Sequence, residues 1–257
     1  MSVCGEAITA ALRKAAASSR MALVGYLTAG FPSRERFREH LLAIASAADV
    51  VEIGVPFTDP MADGMTIQRA SHAALQAGVT LAWILEELSR LEPRPVAPLV
   101  MMSYLNPLLA FGLPRLAATA AGAGISGFIV PDLPHEESEE LRRALNERQI
   151  GLVQMVTPVT PPDRLGMLCA ASQGFVYAVT MTGTTGKNVA VPPEVLEYLD
   201  RVRALARLPV CAGFGIRGPE QVRRLQGHVD GVVVGSALVE ALEQRSDPRI
   251  LLNALRA

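Results

Sequence analysis

Short segments that are apolar at almost every residue constrain this chain most; residues 127–130 (GFIV) and 232–235 (VVVG) are the clearest. A strand with one wet face alternates polar and apolar side chains, whereas a strand without that alternation is buried on both faces, as in a parallel sheet covered by helices. Eight segments read this way: 22–27, 50–53, 99–102, 127–130, 152–156, 175–180, 210–212 and 231–234. Their starts lie roughly 20 to 35 residues apart, with one interval near 50 after the second, about the length a parallel crossover needs.

Helix signatures fill the intervals. Ser33 precedes an amphipathic run over 34–48, with Phe37, Leu41, Leu42 and Ile44 on its apolar face. His135, Glu136 and Glu137 open a second run that continues through 148. Pro193 with Glu194, and Pro219 with Glu220, stand where a first helical turn favours proline. A helix over 6–17 precedes the first strand and would plug a barrel floor. The spacing predicts a (β/α)8 TIM barrel, one domain over 1–257 with an extra N-terminal helix. A doubly wound open sheet is the alternative.

Several function classes are set aside by composition. Twenty-four Lys and Arg against 25 Asp and Glu leave no basic excess for nucleic acid or an anionic membrane. The most apolar stretch, 96–113, is interrupted by Pro98, Ser103, Asn106 and Pro107 and falls short of a membrane span. The first residues lack the apolar core of a signal peptide, and Cys4, Cys169 and Cys211 are far apart, so a cytoplasmic location is expected. Aromatics are only 5%, so the core must be aliphatic.

In a barrel of this kind chemistry sits at the C-terminal strand ends. The second exit carries Glu52 inside an otherwise apolar strand, on the same face as Val50. Burial disfavours the charged form and raises the carboxyl pKa, which suits a proton donor or acceptor near neutrality. Asp59 and Asp63 follow on the loop, where Asp63-Gly64 is also a frequent turn pair. At the third and fourth exits Tyr104, Asn106 and Asp132 stand in loops, where Asn106 and Asp132 could simply hold backbone. No metal-ligand cluster is indicated. Residues 183–187 (GTTGK) lack the P-loop spacing. Glycines crowd the last three exits: Gly183 and Gly186, then Gly213 and Gly215, then Gly235 with Ser236 opening a helix. Exposed amides beside a helix N-terminus, at adjacent barrel exits, point to a phosphate site.

Together these segments resemble the tryptophan synthase α subunit family. The most specific part is VEIGVPFTDPMADGMTIQ at 51–68; LVGYLTAGFP comes before it, and YLNP, PDLP, GFVYAVT-x-TG-x-TG, GFGI and GSA follow in order. The resemblance implies retro-aldol cleavage of indole-3-glycerol phosphate to indole and glyceraldehyde 3-phosphate, with no cofactor. By the same resemblance Glu52 is the general acid/base, Asp63 holds the indole N–H, and Tyr177 lines the site near the glutamate. Tyr26, Met102 and Ile129 would surround the indole, and Thr185 would help close the site. The phosphate would rest on Gly186, Gly215, Gly235 and Ser236. A pyridoxal-phosphate β subunit is the implied partner in an α2β2 complex, meeting the loop 56–63 at Asp59 and Pro60. Met181 and Met65 depart from the family pattern, where Arg and Pro are common. A stand-alone indole-glycerol-phosphate lyase and a non-catalytic activator of a β subunit remain the alternative readings.

Overall fold

A computed structural model describes residues 4–180, 191–213 and 215–256. Eight strands run in chain order: β1 (Ala22–Thr28), β2 (Val50–Gly54), β3 (Leu99–Met102), β4 (Ile125–Ile129), β5 (Gly151–Val156), β6 (Val176–Val179), β7 (Val210–Gly213) and β8 (Gly231–Val234). Each pairs in parallel with the next, and β8 returns to β1, so the sheet closes into a barrel rather than staying open. The helices are α1 (Glu6–Ala17), α2 (Phe37–Ala47), α3 (Met65–Gln76), α4 (Leu81–Ser89), α5 (Leu105–Phe111) and α6 (Leu113–Gly122). They continue with α7 (Glu139–Asn146), α8 (Pro162–Ala171), α9 (Pro193–Leu205), α10 (Pro219–Leu225), α11 (Ser236–Glu243) and α12 (Pro248–Leu255). The long interval after β2 holds two helices, α3 and α4.

Strand alternation sorts the side chains into two cores. Leu23, Leu27, Val51, Ile53, Met101, Phe128 and Val234 point outward, where they pack with the helices into one hydrophobic cluster that is mostly aliphatic but also holds Phe37 and Tyr198. Val24, Tyr26, Val50, Val100, Met102, Ile129, Val153 and Tyr177 belong to a second cluster inside the barrel. Glu52 shares the parity of Val50, so it faces the interior, in register with Tyr26 on β1 and Val100 on β3.

The barrel floor is filled by α1. Its Ile8, Leu12 and Ala15 are fully buried and join the inner cluster. Gly127 makes room there: a Cβ would stand 2.7 Å from Ile8 Cδ1 and force that side chain to shift. Thr9 Oγ1 donates to the Gly174 carbonyl at 2.7 Å and ties the helix to the strand entry.

Two helix starts differ from the sequence reading. The run over 34–48 becomes helical only at Phe37 and ends at Ala47, with the Ser33 hydroxyl donating to Glu35 at 2.6 Å ahead of it. The run from His135 breaks into a 3₁₀ turn, His135–Glu137, and then α7, because Ser138 Oγ turns back to the His135 carbonyl at 2.6 Å. Among the described residues no helix is long and apolar enough to cross a membrane.

Candidate active site

The interior positions nearest the C-terminal strand ends surround a cavity at the barrel mouth. Its walls include Tyr26, Glu52, Asp63, Ile67, Met102, Tyr177, Gly215, Arg217, Gly235 and Ser236. Eight of the eleven residues expected in the catalytic and substrate-binding sets therefore meet at one place. Ile129 lies beside Met102 in the barrel wall, wholly buried in the inner core rather than on the cavity surface. Thr185, Gly186 and Met181 fall outside the described residues.

Glu52 is 1% exposed, and its Oε2 has no hydrogen-bond partner among the described residues. Burial, followed by the charge of Asp63, pushes its carboxyl up to about 8. Asp63 reaches the same cavity from the loop after β2. Burial raises it to about 6, opposed by the hydrogen bond from Tyr104. The two carboxyls thus differ in their state at neutrality: Glu52 is largely protonated and Asp63 largely ionised.

Two tyrosines stand against the strand ends, and glycines make room for them. A Cβ at Gly54 would lie 2.1 Å from the Tyr26 hydroxyl, and one at Gly213 would lie 2.3 Å from that of Tyr177. Both phenols are held far above their usual range, first by burial, then by the nearby carboxylates. They stay neutral, amphipathic walls.

The loop bearing Asp63 is organised by a residue to which the sequence reading gave no role. Tyr104, at the β3 exit, donates to Asp63 Oδ2 at 3.1 Å and accepts from the Ala62 N–H at 2.9 Å. Its ring stacks on Phe57 with centroids 4.9 Å apart. Ser71 of α3 accepts from the Phe57 N–H at 2.9 Å, and Gln68 Nε2 donates to the Asp63 carbonyl at 2.8 Å. Gly64 is not a left-handed turn residue: its backbone is extended, and it caps α3 with Met65 in the first helical position. Asp59 is exposed at the loop tip, Pro60 is half-buried, and Met61 is 88% exposed. Asp132 holds backbone, accepting from the Leu105 N–H at the start of α5.

Across the mouth, Gly235 precedes α11, so its first N–H groups have no helical acceptor. Gly215 has φ +89, a left-handed conformation that glycine adopts readily. Arg217 follows two residues later and also lines the cavity. Among the described residues no group of three or more His, Cys, Asp or Glu side chains converges as a metal site.

Residues 12–255 match the family model described as tryptophan synthase alpha chain. The tryptophan synthase alpha chain of Solidesulfovibrio magneticus is 46% identical over 233 residues, covering 90% of this chain and 91% of that protein. Tryptophan synthase of Mycobacterium tuberculosis superposes with a TM-score of 0.88 at 35% identity, over 97% of this chain and 96% of that one. A chain of the tryptophan synthase complex from Pyrococcus furiosus gives 0.84 at 32% identity, over 92% and 98%.

Proposed function

The chain belongs to the tryptophan synthase alpha chain family, and from that premise we propose that Glu52, Asp63 and the glycines of the barrel mouth cleave indole-3-glycerol phosphate to indole and glyceraldehyde 3-phosphate. The observation that carries the reading is Glu52: a buried carboxyl with a free oxygen, raised to about 8 and facing the cavity that Asp63 also lines.

The protonated Glu52 delivers its proton to indole C3. The ring nitrogen takes up the positive charge, and the Asp63 carboxylate accepts its N–H and offsets that charge. The glycerol hydroxyl next to C3 then gives its proton to the Glu52 carboxylate. The C–C bond breaks, its electron pair returns to the ring, and the hydroxyl carbon becomes the aldehyde. One proton moves from hydroxyl to C3, and Glu52 ends as it began. Tyr26, Tyr177 and Met102 enclose the ring. The amides at Gly215, Gly235 and Ser236 take the phosphate, together with Gly186, and Thr185 helps to close the site. Ile129 backs the indole wall from behind Met102.

The partner in this reading is a pyridoxal-phosphate β subunit in an α2β2 assembly, docked on the loop 56–63. Exposed Asp59 and Met61 at the loop tip support that surface, as does the appearance of the Pyrococcus relative in a complex. We place the chain in the cytoplasm, where its three free cysteines would stay reduced.

The deciding experiment measures indole release from indole-3-glycerol phosphate by the purified chain, alone and with a β subunit. Release by the chain, faster with the partner, supports the reading. No release under either condition removes it; release that the partner neither binds nor alters leaves a stand-alone lyase.

A further inference from the structure

We propose that Arg217 is the cationic arm of the phosphate subsite, with Glu240 as the competing partner of its guanidinium; the inference rests on the reading of the cavity given above. A phosphate dianion seated on Gly215, Gly235 and Ser236 shares its cavity with the Asp63 carboxylate. Backbone amides and one helix N-terminus supply only about half an elementary charge between them. Among the described side chains that line the cavity, Arg217 is the one Lys or Arg.

Its position is built rather than incidental. The Arg217 N–H donates to Gln221 Oε1 at 2.8 Å, and the Gly218 N–H donates to the same oxygen at 3.2 Å. Gln221 Nε2 in turn donates to the Gly215 carbonyl at 2.8 Å. One glutamine therefore fixes the arginine and the phosphate-facing glycine in a single turn. The guanidinium donates through both terminal nitrogens to Glu240, with Nη1 at 3.3 Å. Glu240 lies one helical turn after Ser236 on α11 and also accepts from Thr66 Oγ1 at 3.2 Å, just beyond the Asp63 loop. A guanidinium carries five N–H donors in a planar fork suited to phosphate, and Glu240 occupies two nitrogens of that fork. The Arg217 side chain remains 28% exposed.

A plain ion pair that merely joins the loops would make Arg217 and Glu240 equivalent. A phosphate ligand makes them opposite, because Glu240 then competes for the guanidinium. Calorimetric titration of the full chain with glycerol 3-phosphate, and separately with indole, tells these apart. Arg217→Gln should weaken glycerol phosphate about tenfold and leave indole within twofold. Arg217→Lys should recover most of the loss. Glu240→Gln should bind glycerol phosphate as tightly as the parent or more tightly. The proposal is overturned by an Arg217→Gln variant that binds glycerol phosphate within twofold of the parent, or by Glu240→Gln weakening it as much as Arg217→Gln does. Gly235→Asp is the control for the underlying reading. If the parent chain fails to bind glycerol phosphate, or Gly235→Asp binds it equally well, the phosphate site itself is misplaced. If Gly235→Asp loses binding and Arg217→Gln does not, the arginine alone is refuted. Melting temperatures of each variant establish that the folded protein was titrated.

Discussion

The two ends of the barrel interior are built from the same eight strands and do opposite work. At the floor the inward residues are small or apolar, and α1 fills the space with Ile8, Leu12 and Ala15. At the mouth the inward set continues as Tyr26, Glu52, Met102 and Tyr177, and the space is left open. One end is packed for stability, and the other holds polar groups at a cost to it. The contrast also explains the Glu52 carboxyl: a sealed floor keeps water from below, so solvent can reach it only from the mouth. That is why burial leads the causes of its raised pKa.

The sharpest way to break the comparison is Glu52→Gln. General acid–base catalysis is worth roughly 10²–10⁴-fold, and here one carboxyl serves both the hydroxyl and C3. Single-turnover indole release should fall by about 10³-fold or more, near 4 kcal/mol of barrier. The same change should stabilise the fold, and the gain should depend on pH. A carboxyl held near 8 in the folded chain binds more protons than it does unfolded, so between about 4.5 and 8 the parent loses stability as pH rises. Glu52→Gln escapes that loss. Urea unfolding should find the variant close to the parent at pH 5 and more stable at pH 8, by a margin on the order of a few kcal/mol. A margin that shrinks as pH rises would mean that Glu52 is ionised in the native chain.

The second test cuts at the other end. Ile8 is fully buried, and its Cδ1 fills the space that glycine leaves at position 127. Ile8→Ala should cost about 2–4 kcal/mol of stability through the cavity it creates. Turnover of the folded fraction should stay within about threefold of the parent. Activity that drops more than tenfold while the variant is folded would show that the floor tunes the chemistry, and the division of labour would fail.

What the chain reveals before folding divides along the same line. The floor and walls were legible in the apolar residues: helical spacing marks 6–17, an unbroken apolar run marks the strand at 99–102, and alternation puts Glu52 on the face of Val50. The break at Ser138 was not, since a hydroxyl that bends back to a carbonyl leaves no trace in that spacing. The mouth was legible only where a residue violated its surroundings, as Glu52 does in an apolar strand. Tyr104 and Arg217 violate nothing. A tyrosine in a loop and an arginine before a helix are ordinary, and only the pairing of β2 with β3 brings the first against Asp63, which lies 41 positions away, as that of β7 with β8 brings the second to Glu240, 23 away.

Tyr104 therefore offers the mildest and most specific test. Its hydroxyl donates to Asp63 Oδ2 and accepts from the Ala62 N–H. Tyr104→Phe keeps the stacking on Phe57 and removes only those two bonds, at a cost near 1 kcal/mol. A donor to a carboxylate favours its ionised form, so losing it moves the Asp63 carboxyl above its present value of about 6. The ionised Asp63 is the form that can offset charge on the indole nitrogen. On the acid side activity rises as Asp63 ionises, and on the alkaline side it falls as Glu52 loses its proton near 8. Tyr104→Phe should shift the acid limb of kcat/KM upward and leave the alkaline limb in place, because Asp63, whose charge helps to raise Glu52, is still ionised near pH 8. Activity should fall several-fold at pH 6 and change little at pH 7.5. A uniform loss at every pH would assign Tyr104 a purely structural part in shaping the loop, and an acid limb shifted downward would mean that Asp63 acts in its protonated form.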